Sequence, residues 1–135
     1  MFEERRQDKR YESHLKARIR ILIPEETFTP FSHEGVILDM SRRGMKVKTW
    51  DIDEATYKML LTSTRQVRIT FNPPKSDEAH TLFGRIVWLD FNNLGRMPIM
   101  SYGIHFEQPS GDDEEIIGKC LKAFEEHKRE TTDFK

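Results

Sequence analysis

From Leu15 to Ile23 the chain alternates, cleanly up to Leu22. Leu15, Ala17, Ile19, Ile21 and Ile23 fall on one side of an extended strand, and Lys16, Arg18 and Arg20 on the other. A period of two suits a sheet with one buried and one wet face, not a helix. Strand-like segments then recur. Residues 35–40 and 45–50 flank Ser41-Arg42-Arg43-Gly44, which reads as a hairpin turn with Gly44 suited to a positive φ. Residues 66–72 form a strand that stops at Pro73-Pro74. Residues 80–91 form a long strand interrupted by Gly84, read as a bulge or barrel bend, and 100–107 the last strand.

The remaining segments are less regular. Residues 1–12 are polar and read as a loop or arm, and 24–35, with Pro24 and Pro30, as a long loop. Ile52, Ala55, Met59 and Leu60 fit a short helix. The end is helical: Ser110 and Asp113 make an N-terminal cap, and Ile116, Ile117, Cys120, Leu121 and Phe124 share one apolar stripe. The expectation is a mainly β fold in one domain, a small six-stranded antiparallel barrel with a helix on an opening or edge.

A length of 135 residues suits one modest core. Neither a membrane span nor a signal peptide is visible, and the single cysteine, Cys120, makes no internal disulfide; the expected compartment is the cytoplasm. The net charge of −1 does not mark a polyanion binder, but the charges are unevenly placed. Residues 1–20 carry seven Lys/Arg against four Asp/Glu, and 41–48 carry Arg42, Arg43, Lys46 and Lys48 with no acid. Residues 107–135 carry nine acids against five bases. That pattern favours a small local anion site over a nucleic-acid track.

The basic segments hold two spaced motifs. Arg6 and Arg10 are four apart, so they share a face on either a helix or a strand, and each offers a planar fork that matches phosphate or the O6/N7 edge of guanine. Asp39, Ser41 and Gly44 form Asp-x-Ser-x-x-Gly. If Val36, Leu38 and Met40 face the core, Asp39 and Ser41 face outward. The carboxylate there can accept from guanine N1–H and N2–H, and the hydroxyl can serve phosphate or base. The blander alternatives are a solvated charged arm, and a hairpin whose Asp and Ser bond their own backbone. The five histidines show no metal-ligand spacing, and no catalytic constellation stands out, so a non-enzyme without cofactor is expected. Phe71, Phe83, Trp88, Tyr102 and Phe106 read as core rather than as a stacking platform.

The ordered pair of motifs resembles the PilZ family, bacterial receptors for cyclic di-GMP. The likeness extends to Gly84-Arg85-Ile86-Val87-Trp88 and Tyr102-Gly103-Ile104-His105-Phe106, which look like the family's later strands. The resemblance implies a PilZ-like barrel over 13–109, a flexible ligand-binding arm over 1–12 and a helix over 110–130. It implies that Arg6 and Arg10 grip guanine and phosphate, that Asp39 and Ser41 hold a guanine edge, and that Gly44 shapes the turn. Arg5 sits where the family associates an arginine with a stacked pair of ligands, so two cyclic di-GMP per chain are expected. Arg42 and Arg43 are further candidates for phosphate. The implied output is control of motility, exopolysaccharide or biofilm through an unidentified protein partner, with monomer and dimer both open. No nucleic acid and no membrane insertion are expected. The rival readings are a PilZ-like adaptor without ligand control, and a nucleic-acid-binding barrel, which would need a continuous basic stripe with exposed aromatics.

Overall fold

The computed structural model describes residues 11–22, 31–50, 52, 54–62, 66–92 and 98–133. Six strands and two helices follow in the order β1 (Tyr11–Leu22), β2 (Phe31–Met40), β3 (Gly44–Trp50), α1 (Glu54–Thr62), β4 (Gln66–Phe71), β5 (His80–Asn92), β6 (Ile99–Phe106) and α2 (Gly111–Asp133). The strands pair antiparallel in a closed barrel of order β1-β2-β3-β6-β5-β4. The chain therefore passes from β3 through α1 to β4, and β4 closes the barrel against β1.

The alternation in β1 sets the interior. Ala17, Ile19 and Ile21 are buried, and they meet Ile69 and Val67 of β4 and Ile37 of β2 inside the barrel. Met40, Met45, Val47, Leu82, Ile86, Met100, Tyr102 and Ile104 complete that core. One polar pair is built into it: His33 Nε2 lies 2.8 Å from the Tyr102 hydroxyl. Burial lowers the His33 pKa to about 4 and pushes the Tyr102 hydroxyl well above its ordinary value. Both are neutral at pH 7.

The helix α2 brings Ile117, Cys120, Leu121 and Phe124 to the core. Burial raises the Cys120 thiol to about 11, so the sulfur packs as an inert apolar group. The cap forms as its spacing suggests: Ser110 N donates to Asp113 Oδ2 at 2.9 Å, and Asp113 N to Ser110 Oγ at 3.1 Å. The same carboxylate meets His80 Nε2 at 2.7 Å and pins α2 to the start of β5.

Several expectations change. β1 begins at Tyr11, inside the segment read as an arm, and β2 begins at Phe31, inside the segment read as a loop. Ile37, not Val36 or Leu38, faces the core; a register shift between Ile37 and Asp39 then resets the phase and returns Met40 to the interior. Gly84 is not a bulge. It pairs regularly with Val67 and Phe106, and the irregularity in β5 lies between Ile86 and Trp88.

Candidate ligand-binding site

The turn between β2 and β3 is held by Ser41. Its Oγ accepts the backbone N–H groups of Arg43 at 3.2 Å and Gly44 at 3.3 Å, and its own N–H donates to Gly44 O at 2.8 Å. Ser41 is buried, so the hydroxyl shapes the turn from within while Arg42 and Arg43 stand exposed on it. Gly44 does not have a positive φ, contrary to expectation. Glycine is needed there because a Cβ would lie 2.0 Å from the Ile104 carbonyl oxygen. Phe106 N donates to Arg43 O at 2.8 Å and fastens the turn to β6.

Asp39 faces outward because of the phase reset in β2. It pairs with Lys46, Lys46 with Gly103, and Gly103 with Trp88, giving one row across β2, β3, β6 and β5. This row lines a cleft of about 340 Å³ whose wall also includes Val87 and His105. Trp88 is 42% exposed. Its indole lies over Gly103, where a Cβ would come within 2.1 Å of Trp88 Nε1, and the Lys46 ammonium is 5.8 Å from the ring centroid. A carboxylate, an ammonium and an open aromatic face thus converge: the first can accept from a purine edge, the second can meet a phosphate, and the third can stack on a base.

Lys46, Trp88, Gly103 and His105 were not singled out by sequence reasoning. Trp88 was read as core with the other large aromatics, and an even step from the inward Leu82, Gly84 and Ile86 would also have placed it inside. The irregularity after Ile86 turns it out, and no local signal marks that shift. Phe83, also read as core, is 50% exposed; its place between buried Leu82 and Gly84 could have been read from the alternation. Phe71 and Tyr102 are buried, and Phe106 packs half-buried against the core.

The N-terminal motif immediately precedes β1 in the sequence. Tyr11 pairs with Met40 and Glu12 with Asp39, before a register shift that ends at Leu15. Within that shift Ser13 Oγ donates to Ile37 O at 2.5 Å. The described chain thus begins beside the Asp39–Gly44 segment, one residue after Arg10. Arg5, Arg6 and Arg10 themselves lie outside the described residues. Among the described residues no group of three or more metal-ligating side chains gathers.

The PilZ domain model matches residues 4–123. The chain belongs to the PilZ family. Its fold agrees with solved PilZ structures. The cyclic di-GMP-bound PilZ domain of YcgR from Escherichia coli superposes with a TM-score of 0.70 at 14% identity, covering 96% of this chain and 98% of that one. The MrkH–cyclic di-GMP complex of K. pneumonia gives 0.64 at 17% identity, covering 94% and 56%. The inhibitor of motility MotI of Bacillus subtilis gives 0.60 at 14%, covering 89% and 51%. This PilZ chain thus spans about half the length of MrkH and MotI. Among curated proteins, none matches the sequence.

Proposed function

We propose that this PilZ domain is a bacterial cyclic di-GMP receptor that works in the cytoplasm and performs no catalysis. One observation carries the reading: the start of β1 pairs with Met40 and Asp39, directly beside a cleft that presents a carboxylate, an ammonium and an open indole. Asp39 accepts from one guanine edge, Trp88 stacks on the base, and Lys46, Arg42 and Arg43 meet phosphate. Arg6 and Arg10 close over the ligand from the arm, and Arg5 reaches a second, stacked molecule. Ser41 and Gly44 contribute by holding the turn. This departs from the expectation that the Ser41 hydroxyl meets the ligand, since that oxygen already accepts two backbone N–H groups.

The receptor signals by ordering residues 1–10 against the barrel, which changes the surface shown to a protein partner in motility, exopolysaccharide or biofilm control. The entropy lost on ordering is offset by charge-assisted hydrogen bonds to phosphate and guanine. Calorimetric titration of cyclic di-GMP tests the reading. Tight binding is expected, with two ligands per chain, abolished by Arg6→Ala or Arg10→Ala. Trp88→Ala should weaken binding about 10- to 100-fold. Saturation at one ligand per chain would reject the role of Arg5. No binding by the wild-type chain would reject the receptor reading in favour of a ligand-independent adaptor.

A further inference from the structure

Away from the cleft, the outer wall of β4, β1 and β2 carries a second arrangement of charge. Arg68 of β4 and Arg20 of β1 are directly paired across the closing seam, and the row runs on to Phe83 of β5 and Ser32 of β2. Like charges directly opposite one another in a sheet repel. Among the described residues neither guanidinium meets a carboxylate, and the Nε atoms of both are shielded from solvent without a hydrogen-bond partner. Such groups cost stability unless something satisfies them. In the adjacent row Arg18 faces Thr70 on one side and Glu34 on the other. Glu34 is the one acid in these two rows. It meets Arg18 at 3.5 Å with its side chain 83% exposed, which leaves that ion pair weak.

The face is also concave and aromatic. A groove of about 550 Å³ opens between Lys16, Arg18, Glu34, Val36, Thr70 and Trp50, and Arg20, Arg68 and Phe83 continue from it along the barrel wall. Trp50 is 38% exposed with the Lys48 ammonium 5.5 Å from its ring. At the far end of the stripe Phe83 is 50% exposed with the Arg68 guanidinium 5.5 Å from its ring. Cations interleaved with open aromatic faces along a groove are what a flexible chain of phosphates and bases requires. An acidic protein partner could use the same charges and rings, and competition with polyglutamate separates the two.

We infer that the outer face of β4, β1 and β2 binds single-stranded nucleic acid. Arg18, Arg20 and Arg68 take successive phosphates, and Phe83 and Trp50 stack on bases. The near-zero net charge conceals this face because the acids concentrate in residues 107–135. The site shares no side chain with the cyclic di-GMP cleft and does not depend on that reading.

Fluorescence anisotropy of labelled dT20 and rU20 with the full chain tests the inference. Binding to at least one of the two is expected, with log K falling against log salt at a slope of about −2 for three phosphate contacts. The double variant Arg20→Gln/Arg68→Gln should bind at least tenfold more weakly while melting no lower than the wild type, since it removes a like-charge pair, and Phe83→Ala should bind about tenfold more weakly. Arg20→Lys/Arg68→Lys should recover most of the affinity, as expected of a charge contact and not of a packing defect. No binding of either oligonucleotide by folded wild-type chain at low salt would overturn the inference. Binding that the Gln variants leave intact would also overturn it, as would polyglutamate competing as tightly as dT20.

Discussion

Gly44 shows how much one residue's identity can depend on distant backbone. Its turn requires no left-handed φ, yet the Ile104 carbonyl of β6 occupies the space of a Cβ. Gly44→Ala should therefore cost about 3 kcal/mol in urea unfolding, because a backbone atom and not a flexible side chain must move. His33 makes a second residue-scale case. Its pKa is held at about 4 by burial, so the native state keeps it neutral while the unfolded chain takes up a proton near pH 6.5. The contribution is whole above pH 6.5 and is lost as pH falls toward 4. Unfolding midpoints at pH 7 and pH 5 should differ by about 2 kcal/mol on this account, and His33→Gln should flatten the difference. The same slope in the variant and the wild type would place the titration elsewhere.

At the scale of elements, α2 is tied to the barrel by its apolar stripe and by Asp113. Burial pushes this carboxyl up, but the Ser110 backbone N–H, the His80 ring and the Ser110 hydroxyl together bring it below its ordinary value. The stabilisation is present above the ordinary carboxylate range and lost as pH falls through the lowered value. Asp113→Ala should cost about 1–2 kcal/mol and speed hydrogen exchange in the first turn of α2, while leaving β-strand amides protected. This helix, its cap and its stripe were legible in the sequence because every signal is local. So were six strands, whose alternation or turn residues mark them. The outward turn of Asp39 and Trp88 was not legible for the same reason in both cases. Each depends on a one-residue irregularity, in β2 after Ile37 and in β5 after Ile86, that inverts the faces downstream. Asp39 was assigned outward through a wrong phase, with Val36 and Leu38 as core; Trp88 was assigned inward simply as a large aromatic, and alternation along β5 would have repeated the error because it fails after Ile86. Pairing of Arg20 with Arg68 was equally hidden, since β1 and β4 meet only when the barrel closes.

For the whole molecule, the proposed ligand binding would be linked to folding. Cyclic di-GMP at 100 times its dissociation constant should add about 2.7 kcal/mol per independent site and raise the melting temperature by several degrees. Arg10→Ala should remove the shift without lowering the melting temperature of the free protein. Closure of the sheet has a further consequence. Among the described residues each strand has a neighbour on either side, so no strand offers a full-length open edge; only the parts of β1 and β5 that run past the six residues of β4 lack a partner there. Main-chain zippering along a whole strand is therefore disfavoured. On the proposed reading, the signalling state is read chiefly through side chains, turns or the helix surface, where substitutions can silence one listener and leave ligand binding standing.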